Sequence, residues 1–488
     1  METNNHKIIL SEIAEKAMKE RGFNTVFPEL VMSQVNQINI EAIKSNNNLR
    51  DLRNLIWCSI DNEESRDLDQ LSYGELLENN RIKIYVAVAD VDALVNSGSD
   101  ADIHASQNTV TVYTTARIFP LFPERLSTDL TSLNQDEDRA SIVVEMIVEE
   151  DGNVSGSDIY CALVHNYAKL DYDKVAAWMD GKIPMLKEIE NVKGLAENIL
   201  LQEKAAQRLR QMRYTRGALD FETIESRPVF IGESLGEMKA SKKNRAKNMI
   251  EDFMIACNVI TAQFLADKNL PSLRRVVSKP RRWDRIIQLA AEHDFELSAE
   301  PDPKSLSECM KFIRQNLPGH YSDFSFSVLK LLGGGEYIME YPGQVPQGHF
   351  GLAVKNYSHS TAPNRRYSDL ITHRLLKVAM NGGKIGYTNA EMEAIAKNCT
   401  VKEDTAKKVE RQVEKSAHAI LMESRIGEVF DAIISGAAPK GTWIKLFEPN
   451  LEGKLVKGFE NLEVGHKIKA RLLSVDIMTG FIDFERVS

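Results

Sequence analysis

The chain has 488 residues, room for two to four domains, and its 43% hydrophobic and 27% charged residues can supply a real core for a soluble globular protein. No apolar run approaches the roughly 20 residues of a membrane-spanning helix, so no membrane partner is expected. The formal net charge of -9 argues mildly against a nucleic-acid partner, although a cleft responds to its own lining and not to the sum.

In chain order, "HKIILSEIAEKAMKERGF" repeats apolar residues at helical spacing and ends at Gly22; a second helix is expected after Pro28. This opening, residues 1–50, has no secretion-signal layout and reads as a short helical segment. Residues 51–165 read as β-rich. "RIKIYVAVADV" is the strongest strand, with "NTVTVYTTARIFPLFP" and "RASIVVEMIVEEDGNV" as others. Helices are expected over 167–215, then a β-like piece, "ALDFETIESRPVFIG", then a long helix from Lys243 to Lys268. Mixed segments lead to about residue 350. "SDLITHRLLKVAM" and residues 389–427 read as helices whose charges form a solvated face. In the last stretch five short strands are separated by "APKG", "EPNLEG", "EVGH" and "IMTG", the pattern of a small closed barrel of OB type. The fold class is α+β. The expected divisions are a helical segment at 1–50, a catalytic domain at 51–385, a helical connector at 386–427 and the barrel at 428–488. Five cysteines are scattered and never in CxxC, which predicts a reducing cytoplasmic setting with neither zinc nor disulfides.

The stretch "LIWCSIDNEESRDLDQLSYGE", Leu55 to Glu75, carries the chemistry. An apolar strand ends at Ile60, and Asp61, Asp67 and Asp69 follow with Glu63 and Glu64 among them; Arg66 is the only cation. Carboxylates this close repel one another unless a cation sits among them. A solvated turn accounts for such a cluster when it stands alone, but here a second buried-looking strand follows, closed by Asp90, which is expected to face the same place. Converging aspartate oxygens suit a hard divalent cation such as magnesium, and two such ions suit phosphodiester cleavage. "NYSHSTAPNRRYSDLITHR" sets Arg365 and Arg366 in a turn before a helix, where forked guanidinium groups can grip phosphate. The basic stretch "PSLRRVVSKPRRWDR" lines a path for a nucleic-acid backbone or is simply solvated.

Together, "SIDNEESRDLDQ", "IFPLFPERLSTDLTSLNQDEDRASIVVEM", "AKLDYDKV", "RGALDF", "MIEDFMIACN" and "HFGLAVKNYSHSTAPNRRYSDLITHRLL" resemble the RNB exoribonucleases, the ribonuclease II and ribonuclease R family, over about residues 51–385. The final sixty residues resemble the family's C-terminal OB-fold. The resemblance implies hydrolysis of single-stranded RNA from the 3′ end to nucleoside 5′-monophosphates, with magnesium or manganese. Asp61, Asp67 and Asp69 match three of the family's four motif aspartates, and the fourth position is Gln70, whose amide oxygen ligates a cation without bringing charge. Asp69 is the residue whose loss is expected to abolish chemistry. Tyr113 and Phe221 match base-stacking positions, Tyr172 a tyrosine near the scissile phosphate, and Glu251, or in second place Asp252, an acid near the terminal nucleotide. Arg365 matches the catalytic-site arginine, with Arg366 beside it, and Arg275 is a further candidate for the RNA path. Ala362 and Asn364 depart from the serine and aliphatic residue usual there. The cold-shock barrels of longer members are absent from the sequence, with about 50 helical residues in their place. In the barrel, Trp443 and Phe447 either stack bases or fill the core. A monomer is expected. The rival readings are a catalytically weak or inactive RNB-fold RNA-binding protein, motivated by Gln70, and a phosphodiesterase for small nucleotides.

Overall fold

The computed structural model describes residues 5–41, 48–221, 225–241, 243–446 and 448–487. The main body is built on β1 (Arg50–Asp51), β2 (Trp57–Asp61), β3 (Gln70–Leu76), β4 (Ile82–Ala89), the two-residue β5 (Val112–Tyr113) and β6 (Ile118–Phe119), β7 (Asp138–Val148) and β8 (Val154–Asp171). Its main sheet runs β1-β8-β2-β3-β4-β7. The eighteen-residue β8 first pairs antiparallel with β7, from Val154 to His165, and then parallel with β2, from Asn166 to Asp171. Because β8 reaches both β2 and β7, these strands close on one another. The sequence "IKIYVAVA" is buried at every position but Lys83, as expected of a strand covered on both faces. Ile82, Ile84, Val86 and Val88 face the outer helices, whereas Tyr85, Ala87 and Ala89 meet Trp57, Leu71 and Val164 inside.

Several elements differ from the sequence reading. "NTVTVYTTARIFPLFP" forms only β5 and β6, because a helix, Asp100–Asn108, runs up to it and Arg125–Leu130 winds into a helical turn after it. Residues 167–171 belong to β8, where parallel pairing with β2 overrides the local helical pattern. The β-like piece contains β9 (Glu225–Ile231), and a strand that the sequence did not announce, β10 (Ser234–Ser241), pairs with it antiparallel. Two further strands, β11 (Ser272–Val276) and β12 (Glu336–Glu340), also pair antiparallel.

The helix Arg245–Asp267 is long and apolar enough, by length and composition, to cross a membrane. Here it is mostly buried and packs in the main core with the helix Tyr367–Asn381. Helices Trp283–Ala291, Pro303–Asn316 and Pro318–Leu332 enclose a separate apolar cluster. The expected connector is the helix Asn389–Glu423, started by a capping box between Thr388 and Glu391. One side of it packs with Leu10, Ile13 and Ala17 of the first helix, His6–Glu20, and its end (Ala419, Met422) enters the barrel core. The predicted barrel is present: β13 (Val429–Ala438), β14 (Gly441–Leu446), β15 (Leu451–Lys457), β16 (Lys467–Asp476) and β17 (Phe481–Arg486) close in the order β13-β14-β15-β17-β16. Trp443 is half-buried over Gly436 and Gly441; Phe447 lies outside the described residues.

Candidate active site

Antiparallel pairing of β2 with β3, Cys58 opposite Ser72, forces the loop between Asp61 and Gln70 to double back at one end of the sheet. The loop is pinned from beneath. Ser132 Oγ donates to the Arg66 carbonyl and accepts from Leu68 N, and Lys169 Nζ donates to the carbonyls of Glu63 and Ser65. Tyr172 arrives by register: Asp61 pairs with Asp171 across β2 and β8, and the next residue opens the helix Tyr172–Met179.

A cavity of about 1190 Å³ opens over this loop. Asp61, Asp67, Asp69 and Gln70 lie along it, joined by Tyr113, Tyr172, Glu251, Arg365 and Arg366. Asp69 is 3% exposed. Its Oδ2 accepts from Arg365 Nε at 3.0 Å, and its Oδ1 is buried without a partner among the described residues. Burial pushes its carboxyl up to about 7; the charge of Asp67 adds to this, and Arg365 opposes it. Burial likewise raises Asp61, against hydrogen bonds from Asn62 N and Ser65 Oγ. The Tyr113 hydroxyl donates to Asp67 Oδ2 at 2.9 Å, which holds its ring, 39% exposed, on the cavity wall instead of in the core.

Arg365 is delivered by a tightly held turn. Thr111 N donates to the Arg365 carbonyl, and Tyr367 N to that of Thr109. Asp369, fully buried, accepts from Ala362 N and from both Arg366 Nε and Nη2. Despite burial, Arg366 holds the Asp369 carboxyl well below the usual range. Arg366 is therefore committed to the turn, while Arg365, its side chain 41% exposed, faces the cavity. The departures noted in the sequence are absorbed here: Asn364 is buried and its Oδ1 accepts from Thr131 Oγ1, and Ala362 is buried beside Asp369.

The structure brings most of the predicted residues together, but not all. Phe221 packs half-buried against the helical cluster that contains Trp283 and Tyr321 and is not among the residues that line the cavity with Tyr113. Arg275 is buried in β11, paired with Glu403 and stacked over Tyr337. Asp90 does not face the acidic loop. It pairs with Lys377 in a separate cavity, because β4 ends one strand over and the residue after it turns toward the helix Tyr367–Asn381. Glu251 lines the cavity and pairs with Lys243, whereas Asp252 is buried against Arg210 and Arg213. Sequence reading missed Glu410, Glu414, His349 and His359. Glu410 accepts from Tyr113 N, its carboxyl raised by burial, and burial keeps both histidines neutral at pH 7. Helix periodicity places Glu410 and Glu414 on one face, but only the packed helix shows that this face is a cavity wall.

The donor set is all oxygen, and an unpartnered oxygen of a buried carboxylate sits at its centre, which fits a hard cation. Among the described residues no three His, Cys, Asp or Glu side chains converge into a complete metal cage.

A family model described as the RNB domain matches residues 49–382, more than half of the chain. The chain belongs to the RNB family. A second model, the RNase II-type exonuclease C-terminal S1 domain, matches residues 428–487, the barrel. Ribonuclease R 1 of Lactococcus lactis is 31% identical over 94% of this chain and 59% of its own length. Ribonuclease R of Aquifex aeolicus is 30% identical over 95% and 68%. This RNB chain thus spans about three fifths to two thirds of the length of the curated relatives it matches. In fold it is similar to Mycoplasma genitalium RNase R in complex with ribose methylated single-stranded RNA (TM-score 0.86, 22% identity, 97% of this chain and 77% of that one). It is also similar to yeast Ssd1, a pseudonuclease (TM-score 0.69, 13% identity, 95% and 58%).

Proposed function

We propose that this RNB protein is a 3′-to-5′ exoribonuclease that hydrolyses single-stranded RNA to nucleoside 5′-monophosphates with the help of a divalent metal. One observation carries the reading: the Arg365 guanidinium meets the buried carboxylate of Asp69 at the floor of a cavity whose wall presents Tyr113. The cavity exceeds the roughly 300–1,000 Å³ of small-molecule pockets. Glu410 and Glu414 also border a second cavity of about 600 Å³ between the body and the barrel, lined by Phe326, Lys330 and Lys445. A polymer suits this run of space better than a free nucleotide does. RNB ribonucleases are generally metal-dependent. Asp69, whose Oδ1 has no partner among the described residues, would hold magnesium or manganese together with one of its neighbours Asp61, Asp67 or Gln70, and the ion would supply an activated water and charge neutralisation.

The chain's own residues do the rest. Tyr113 offers a stacking face to a base, its hydroxyl tethered to Asp67. Arg365, fixed by the turn that Asp369 clamps, supplies forked donors to the reacting phosphate, and Tyr172 adds a hydroxyl from the opposite strand end. Glu251 accepts from a ribose hydroxyl, which distinguishes RNA from DNA. The reading takes a single strand as the substrate and a monomer as the acting enzyme. All five cysteines are free thiols, four of them buried, which suits a reducing cytoplasm.

The test is incubation of the purified protein with labelled oligo(A) and oligo(dA) in magnesium or manganese. Stepwise release of 5′-AMP from the RNA alone supports the reading. Gln70, neutral at a position where the family pattern has an acid, favours a second reading as a non-catalytic RNA-binding protein. Tight RNA binding without monophosphate release in either metal would establish that instead.

A further inference from the structure

The fold divides the basic stretch "PSLRRVVSKPRRWDR" in two. Arg274 and Arg275, in β11, are buried and spent on Glu340 and Glu403. Past Val277 the chain leaves the sheet, and Lys279, Arg281, Arg282 and Arg285 are all exposed. Among the described residues Lys279, Arg281 and Arg282 have no ion-pair partner, and Arg285 reaches only Gln288. Asp284 is the single acid in this run. Four cations within seven residues form a concentrated positive patch on a chain of net charge -9.

Its position matters more than its charge. Val277 bridges His349 in parallel, and Phe350 N donates to the Val277 carbonyl. His349 lines the cavity that holds the acidic loop. The patch therefore starts at the cavity wall: by the reach of an extended chain, Lys279 lies within about 7 Å of Val277 and Arg282 within about 18 Å. The loop is also anchored. Pro280 is buried, and Trp283, 5% exposed, donates from Nε1 to the Ser298 carbonyl and meets Phe350 edge-on. A rigid base beneath unpaired cations costs little further ordering when an anion binds.

We infer that Lys279, Arg281, Arg282 and Arg285 form a phosphate-binding rail for single-stranded RNA, continuing the substrate path beyond the cavity. The rail grips backbone and reads no base: all four groups are long flexible cations, Trp283 is buried beneath them, and the amide of Gln288 accepts from Arg285. The inference rests on the RNA reading of the site for its ligand, but not on catalysis.

The experiment measures binding of fluorescein-labelled oligo(A) of 5 and 20 nucleotides by anisotropy, in EDTA, at 50–200 mM salt. Wild type is compared with the quadruple variant Lys279→Gln, Arg281→Gln, Arg282→Gln, Arg285→Gln. Each phosphate contact on a single strand contributes about 0.7 to the salt slope, so four contacts add nearly 3, or about 50-fold in affinity across that salt range. The 20-mer should lose that part of its slope in the variant, while the 5-mer binds as before. An unchanged 20-mer slope would overturn the rail and leave the patch to another anionic partner. Weakening of both lengths alike would overturn it too, by assigning the loss to the cavity. Circular dichroism of the variant checks the fold. Absence of hydrolysis in wild type would refute the exonuclease reading and leave this binding result standing.

Discussion

Asp69 is held where its charge is costly, and that cost is measurable. In the unfolded chain its carboxyl titrates at the ordinary value of 3.8; in the fold, burial raises this to about 7. A raised acid stabilises the fold at low pH, and the contribution is lost as pH rises through the folded value. At 1.36 kcal/mol per unit, ionising Asp69 should cost the metal-free protein about 3 kcal/mol more at pH 8 than at pH 5. Asp69→Asn removes the titration, and its amide oxygen still accepts from Arg365. Urea unfolding in EDTA, followed by circular dichroism at both pH values, should show the variant gaining on wild type by about that amount between pH 5 and pH 8. The same variant should release no 5′-AMP from oligo(A) yet bind it normally. Other raised acids such as Asp252 are common to both proteins and cancel in the comparison. Parallel stability curves for the two proteins would refute the claim that burial of this carboxylate outweighs its pairing with Arg365. Loss of RNA binding along with activity would refute its assignment to chemistry.

Three further outcomes follow from the geometry. Arg365→Lys removes the forked donor pair and should lower kcat by about 100-fold or more while leaving RNA affinity within a few-fold, read by single-turnover hydrolysis and anisotropy. Tyr113→Ala should weaken oligo(A) binding by about 1–3 kcal/mol, the worth of one stacked base, with little change in melting temperature because the ring is not in the core. Asp369→Ala leaves Arg366 buried and unpaired and should cost about 3–5 kcal/mol in unfolding free energy; a loss below 1 kcal/mol would show that the turn is not held by this pair.

Elements of strong periodicity and stretches of unusual charge were legible without coordinates. "IKIYVAVA" is apolar enough to announce a buried strand, and the five barrel strands are separated by clear turn residues. The acidic run after Ile60 marked the site because like charges at the end of a buried strand demand an explanation. The resemblance to RNB exoribonucleases supplied Tyr113, Tyr172, Glu251 and Arg365, which lie far apart in sequence yet line one cavity. It also suggested Phe221 as the partner of Tyr113; Phe221 packs with the helices around Trp283 and is not among the residues that line the cavity. Strand β10 escaped notice because "SLGEMKAS" alternates too weakly to signal a strand before its partner is known.

What the sequence alone determined is the set of parts: a carboxylate loop, an arginine turn, aromatic side chains and a closing barrel, each specified by local pattern. Tertiary structure decided which like-looking residues do different work. Arg366 is consumed by Asp369 while Arg365 faces the cavity, Asp90 pairs with Lys377 while Asp69 meets Arg365, and Arg275 is buried while Arg281 is exposed. Burial and partner choice depend on which distant segments the fold brings within a few ångströms, and composition and spacing along the chain do not encode that separation.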